Sequence, residues 1–126
     1  MDEMLLAISG AQEGHWLRHL GDNTLWYSAR WFAMLDYSDG DVGSRLADFE
    51  GLVHPHDRAA WQQRVDDHLS GKTAFYQSRF RLRCKSGEYR CVESTGRVLV
   101  DDNGNPAYFA GAHKIVPTAS AIRSNS

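Results

Sequence analysis

Cysteine, proline, long apolar runs and surplus positive charge are all scarce in this sequence, and each shortage excludes something. Two cysteines, Cys84 and Cys91, are too few for a disulfide framework, so the fold must rest on a hydrophobic core. At 126 residues one core suffices, because a chain of this size buries roughly two-thirds of the surface it exposes when unfolded. The apolar runs are short, such as Met4 to Ile8, and nothing approaches the roughly 20 residues of a membrane span. No basic stretch precedes an apolar run, which speaks against a secretory leader. The formal net charge is −2, whereas nucleic-acid-binding domains are usually basic. These absences predict a soluble cytoplasmic protein with neither membrane nor nucleic acid as partner.

What the chain does have is aromatic. Four tryptophans, five tyrosines and five phenylalanines predict a core of bulky, flat groups. Residues 1–10 carry Met4, Leu5, Leu6 and Ile8 ahead of Ser9-Gly10, and read as a flanking helix that packs on the domain or on a second copy. His15–Leu20 and Thr24–Tyr27 flank the turn formers Gly21-Asp22-Asn23, which predicts a hairpin. Ser28 is placed to cap a helix from Ala29 to about Leu35, with Trp31, Met34 and Leu35 on one face. Ser38 to Gly43 reads as a loop, and Leu46, Phe49, Leu52 and Val53 as an irregular helical patch. Pro55 opens a longer helix with Asp57 in its first turn. Trp61, Val65 and Leu69 form its buried stripe, and Gly71 ends it.

The second half changes period. Phe80, Leu82 and Cys84 alternate with Arg79, Arg81 and Arg83, a strand pattern followed by the turn Lys85-Ser86-Gly87-Glu88. Tyr89 to Val100 reads as a second long strand. Its apolar parity shifts between Cys91 and Val98, which predicts a bulge near Ser94 to Gly96. Asp102-Asn103-Gly104-Asn105 is a hairpin turn, and Tyr108 to Val116 the last strand. Residues 117–126 are small and polar and read as a tail or the start of a linker. Strand, strand, helices, then three strands is an α+β order, with helices on one face of an antiparallel sheet.

Several segments in this order resemble the bacterial PAS superfamily with its attached PAC motif. Gly14-His15-Trp16 is similar to the start of the family's first strand, and Tyr27 to Tyr37 to its second strand and first helix. Leu52-Val53-His54-Pro55-His56-Asp57-Arg58 resembles the family's hydrophobic-x-His-Pro-Asp-Asp-Arg segment. Phe80 to Arg83, then Lys85 to Arg90, looks like the PAC hairpin, and Asp102 to Pro106 with Gly111 the last one. The resemblance spans residues 5 to 116 and gives a domain over 11–116. Asp36 stands where the family often has glycine, His56 where it often has aspartate. Lys114-Ile115-Val116 replaces the usual closing Asp-Ile-Thr, which in relatives helps connect the sensor to a downstream coiled coil. The resemblance implies a five-stranded antiparallel sheet of order 2-1-5-4-3 with helices enclosing a pocket. It also implies a sensory or dimerising module whose response passes to a histidine kinase, a diguanylate cyclase or a transcription factor.

Beside this, the residues argue against other chemistry. His15 and His19 would stand about 13 Å apart on a strand, too far for one metal ion. His68, beside the apolar stripe, is the one histidine placed to offer a haem an axial bond, and a hydrogen-bonded role fits it better. Neither cysteine stands in the Asn-Cys-Arg setting of photoactive flavin domains. By register they would lie diagonally on one face as small apolar groups. No nucleophile stands beside a base, and Gly40-Asp41-Val42-Gly43 lacks the rest of a phosphate loop, so no catalytic residue is assigned.

Trp16, Trp26, Trp31, Trp61, Phe75, Phe80 and Tyr108 are candidates for a pocket for a small apolar or aromatic ligand. Inward parity and the resemblance select Trp16, Met34, Trp61, Phe80, Leu82 and Cys91 as its lining. The expected interaction surface combines Leu5 and Ile8 with an outer-face stripe of Arg79, Arg81, Arg83 and Arg90. The expectation is therefore a cytoplasmic sensor, part of a larger signalling protein, that binds a small molecule, forms a homodimer, or both. The alternative is a ligand-free protein-interaction domain.

Overall fold

The computed structural model describes residues 13–117. The flanking segment with Leu5 and Ile8, and the tail beyond Pro117, lie outside the described residues. Five strands form one antiparallel sheet: β1 (Glu13–His19), β2 (Leu25–Tyr27), β3 (Tyr76–Arg83), β4 (Tyr89–Val100) and β5 (Pro106–Ile115). Their order is β2-β1-β5-β4-β3, as the resemblance implies. Between β2 and β3 the chain forms α1 (Ala29–Met34), α2 (Leu46–Glu50), a short 3-10 turn at Pro55–Asp57 and α3 (Arg58–Leu69). The alternating burial of β3 shows the reason for the layering. Tyr76, Ser78, Phe80 and Leu82 face the helices, and Gln77, Arg79 and Arg83 face solvent.

Local signals set the helix ends. Ser28 Oγ accepts from the Trp31 backbone N–H at 3.3 Å and from His15 N–H at 2.9 Å, so one hydroxyl caps α1 and ties it to β1. Gly71, just past α3, takes a left-handed φ of +88°, which glycine adopts without a Cβ clash. The stripe on α3 differs by one position from expectation: Trp61, Val65 and His68 are buried, and Leu69 only partly. His68 bridges two elements. Its Nδ1 lies 2.9 Å from the Thr73 carbonyl, and its Nε2 accepts from Val98 N–H at 3.0 Å. Both ring nitrogens are thus engaged, which leaves neither for an axial bond to haem iron.

Asp36 also adopts a left-handed conformation, φ +64°, the geometry that favours the glycine common in relatives. Its carboxylate takes a 2.8 Å bond from Arg90, whose other arm reaches the Met34 carbonyl at the end of α1. Arg90 lies opposite the buried Leu82 and shares its face, so it is not part of an outer-face stripe.

The edge of the sheet at β3 is covered over Arg81 to Arg83. Val53 bridges Leu82, His54 N–H donates to the Arg81 carbonyl, and Arg83 N–H to the Leu52 carbonyl. Covering an edge in this way removes a template for unwanted strand pairing. Asp57 clamps the arrangement, accepting from Arg81 backbone N–H, Nε and Nη2, each at 2.9 Å. These bonds hold the Asp57 carboxyl below its ordinary pKa. Asp57→Ala is expected to lower stability by about 2 kcal/mol, since it removes charge-assisted bonds at a partly buried site. Urea melts check this, and a change below about 0.5 kcal/mol would refute the clamp.

The bulge predicted at Ser94–Gly96 is not there. Register runs unbroken from Tyr89 to Leu99 and shifts only between Leu99 and Val100. Val92, Ser94 and Val98 hold the inner face, and the apolar residues Cys91 and Leu99 sit on the outer one.

Candidate functional site

The inner face of the sheet carries two adjoining rows of residues that together shape a cavity. One row crosses all five strands: Tyr27, Trp16, Gly111, Gly96 and Tyr76 pair in succession from β2 to β3. Of the two central glycines, Gly96 leaves room for the Trp16 indole and Gly111 lets β5 approach the β4 backbone. A Cβ on Gly96 would stand 3.0 Å from the Trp16 ring. The next row is polar, with Gly14, His113, Ser94 and Ser78 paired across β1, β5, β4 and β3. His113, Ser94 and Ser78 are all buried.

Above these rows α2 and α3 supply Leu46, Phe49, Trp61 and Val65 as a roof. Trp16, Tyr27, Tyr76, Ser94, Phe109 and His113 form the floor, and Leu25 and the half-buried Arg18 complete the lining. The volume open to water centres is about 30 Å³. Since one water needs about 10–15 Å³ on that measure, the space exceeds a single water.

The cavity is held by aromatic contacts. Tyr27 stacks on Trp31 with centroids 3.9 Å apart, Trp16 meets Phe109 edge-on at 4.8 Å, and His113 stacks on Phe49 at 5.8 Å. Trp31, wholly buried behind Tyr27, donates its indole N–H to His113 Nδ1 at 2.8 Å. Burial without a charged partner pushes the His113 pKa down to about 3, so the ring is neutral at pH 7. An indole N–H can only donate, so Nδ1 accepts and the ring proton sits on Nε2.

Three other buried polar atoms, Trp16 Nε1, the Tyr27 hydroxyl and Ser94 Oγ, find no hydrogen-bond partner in the protein. All three belong to lining residues. Burial raises the phenol pKa of Tyr27 beyond its ordinary range and that of Tyr76 to about 12. At the solvent end, burial draws the Arg18 pKa down while Glu50 and Asp66 oppose the shift. Arg18 Nε also donates to Asn23 Oδ1 at 3.0 Å.

The expected lining is only partly assembled. Trp16 and Trp61 line the cavity. Phe80, Leu82 and Met34 are buried in the surrounding core. Phe80 stands behind Phe49 and Trp61, Leu82 lies under Val53, and Met34 lies against Gly14. Cys91 is a correction: it pairs with Arg81 on the outer face, away from the cavity. Cys84 is buried on the inward parity of β3, so the two thiols do not share a face. Among the other aromatic candidates, Trp26, Phe75 and Tyr108 are exposed. Tyr27, Phe49, Ser94, Phe109 and His113 were not anticipated.

The arginine stripe is also corrected. Arg79, Arg81 and Arg83 share the outer parity of β3 and Arg90 does not. Arg79 pairs with Glu93 at 3.4 Å, Lys114 reaches the same carboxylate at 3.8 Å, and Arg81 is taken by Asp57. The outer face instead shows an apolar groove, with Leu17, Trp26, Phe75, Leu99, Ala110 and Ala112 along it.

Comparison with known proteins adds to this geometry. The family model described as the PAS fold matches residues 24–113. The structure resembles a sensory box histidine kinase/response regulator from Burkholderia thailandensis with a TM-score of 0.75 at 25% identity, over 97% of this chain and 88% of that one. The N-terminal domain of a diguanylate cyclase with PAS/PAC sensor from Marinobacter aquaeolei matches with a TM-score of 0.72 at 17% identity, over 82% of this chain and 94% of its own. A light-oxygen-voltage domain whose mechanism was probed with a flavin analogue gives 0.72 at 20% identity, over 98% and 93%. The last two share the fold. No curated protein matches the sequence.

Proposed function

This chain belongs to the PAS fold family, and from that premise we propose that it senses a small molecule held in the cavity between its sheet and helices. It resembles the PAS sensory domains of histidine kinases and diguanylate cyclases, and such a domain is a sensory module, not a catalytic one. The observation that carries the ligand reading is the cavity itself, whose lining residues include three with buried polar atoms that the protein leaves unpaired. Orphaned buried donors are costly and uncommon in finished cores. A bound molecule that completes their bonds would favour one arrangement of the helices over another, and so shift a population that an attached kinase or cyclase domain reads.

Dimerisation is a second part of the proposal, supported by the exposed apolar residues Trp26, Phe75 and Leu99 on the outer face. The Leu5–Ile8 segment contributes to that contact in this reading, and the protein acts in the cytoplasm.

Native mass spectrometry and thermal melts against a panel of small aromatic compounds test the ligand part. A retained adduct, or a rise in Tm with a saturable dependence on concentration, is expected. A bare mass with no shift across the panel would leave a ligand-free interaction domain. Sedimentation of the chain with and without residues 1–10 tests the dimer, and a monomer in both cases would refute it.

A further inference from the structure

We propose that the apolar groove on the outer face of the sheet is the seat of this chain's own residues 4–8, which cross it from β1 toward β4. This deepens the outer-face part of the reading above and rests on it, and it is independent of the ligand part.

The outer face is built in rows. Trp26, Leu17, Ala110 and Arg97 pair in succession across β2, β1, β5 and β4. His15, Ala112, Thr95 and Gln77 form the next row, across β1, β5, β4 and β3. The small side chains of Ala110 and Ala112 fall on β5, the middle strand, and line the groove. Trp26 on β2 and Phe75 just ahead of β3 stand at its two sides, 55% and 66% exposed. A floor of alanines between two exposed aromatics leaves space for bulky apolar side chains, and exposed apolar groups clustered in this way mark a contact surface. One row further toward the start of β1, Glu13, Lys114, Glu93 and Arg79 are all charged, so the groove ends there. An occupant must therefore be short and apolar.

Reach, composition and charge identify it. Residues 1–12 join β1 at Glu13, and they include Met4, Leu5, Leu6 and Ile8, four large apolar side chains within five positions. From Glu13 up β1 to Leu17 is about 13 Å. The linker Ser9–Gln12 spans up to about 14 Å, and Gly10 within it is free to reverse the chain. Ile8 is thus within reach of the Leu17–Ala110 row. From β1 to β4 is two strand spacings, about 10 Å, a distance that the stretch from Ile8 to Glu3 covers. That crossing brings Asp2 and Glu3 to Arg97, a groove residue with no ion pair among the described residues. Tethering favours the chain's own segment over that of a second copy, because so short a linker presents it to the groove at a roughly millimolar effective concentration.

Acrylamide quenching of tryptophan fluorescence tests the proposal. Trp16, Trp31 and Trp61 are buried and Trp26 alone of the four is exposed, so quenching reads the cover over Trp26. Three chains are compared: the full chain, the full chain with Leu5→Ser and Ile8→Ser, and the chain lacking residues 1–10. Quenching in the full chain should be weaker by about twofold or more than in the other two, and the difference should vanish when each also carries W26F. Dilution over about a hundredfold should leave the shielding unchanged, since contact within one chain does not depend on concentration. Equal quenching in the three chains would overturn the proposal. Shielding that is lost on dilution would overturn it too, and would give the groove to a second copy. Should the shortened chain fail to fold, the serine pair still decides. Sedimentation reads the dimer separately, so a monomer with a shielded Trp26 would uphold this inference while refuting the dimer.

Discussion

Lowering the pH from 7.5 to 4.5 is expected to remove about 2–3 kcal/mol of folding stability through His113 alone. In the folded protein this ring is buried against Trp16, Phe49 and Phe80, and burial pushes its pKa to about 3. In the unfolded chain it returns to the ordinary histidine value near 6.5. Between those values the unfolded state binds a proton that the folded state refuses, so stability rises with pH across the window. The contribution is complete above about pH 6.5 and is lost progressively as pH falls toward 3, at about 1.4 kcal/mol per pH unit. Carboxylates such as Asp57, whose pKa is already held down by Arg81, come into play only at the acid end. His54 also has a lowered pKa, but it is only half-buried at the surface and its contribution is screened. Urea melts at intervals from pH 4.5 to 7.5 should therefore show the steep slope in the parent and a shallow one in His113→Gln. The amide oxygen of that variant can still accept from Trp31, so the contrast isolates the proton. Parallel slopes in the two proteins would sink the assignment.

How much of this was legible beforehand depends on whether the cause was local. Ser28 before an apolar face and Gly71 after a helix are decided within a turn of chain, and the structure places both as read, while Pro55 opens a 3-10 turn over Pro55–Asp57 and the longer helix begins only at Arg58. The alternation from Phe80 to Cys84 is equally local. The register of β4 is not. Cys91 and Val98 are both apolar and of opposite parity, which the sequence alone reconciles by a bulge. The structure keeps one parity, with Val92, Ser94 and Val98 inward, and leaves Cys91 and Leu99 outward. Hydrophobicity misled here because Ser94, a polar residue, is wholly buried and Leu99, an apolar one, is not.

The same reason hid much of the cavity wall. His113 and Ser94 read as solvent-facing in a hydrophobic pattern, and only pairing across strands puts them in one row beneath Trp31. A signal was available at His113: it shares strand parity with the apolar Phe109 and with Gly111, and so lies on their face. Arg90 misled in a related way. By residue type it extends the run of Arg79, Arg81 and Arg83, but an odd-to-even step across the hairpin turn carries it to the opposite face. Family resemblance supplied the strand order, which no local pattern contains.

Gly111→Ala is expected to cost about 3 kcal/mol or more, at the upper end for overpacking a core. An added Cβ there would stand 1.8 Å from the Thr95 carbonyl oxygen and 2.7 Å from Gly96 Cα. Both are backbone atoms, so no side-chain rotamer relieves the clash, and β4 and β5 must move apart at the centre of the sheet. Gly96 lies directly opposite, with its own Cβ direction blocked by the Ala110 carbonyl oxygen at 2.5 Å and the Trp16 ring at 3.0 Å. Gly21→Ala is the matched control: a Cβ there meets nothing within 4 Å, and a change within about 0.5 kcal/mol is expected. Urea melts of the two variants distinguish backbone crowding from a general intolerance of alanine. A loss below 1 kcal/mol at Gly111 would mean the strands have slack that their close approach denies. The consequence reaches the cavity, because Trp16 of β1 pairs with Gly111 of β5 and its indole lies against Gly96.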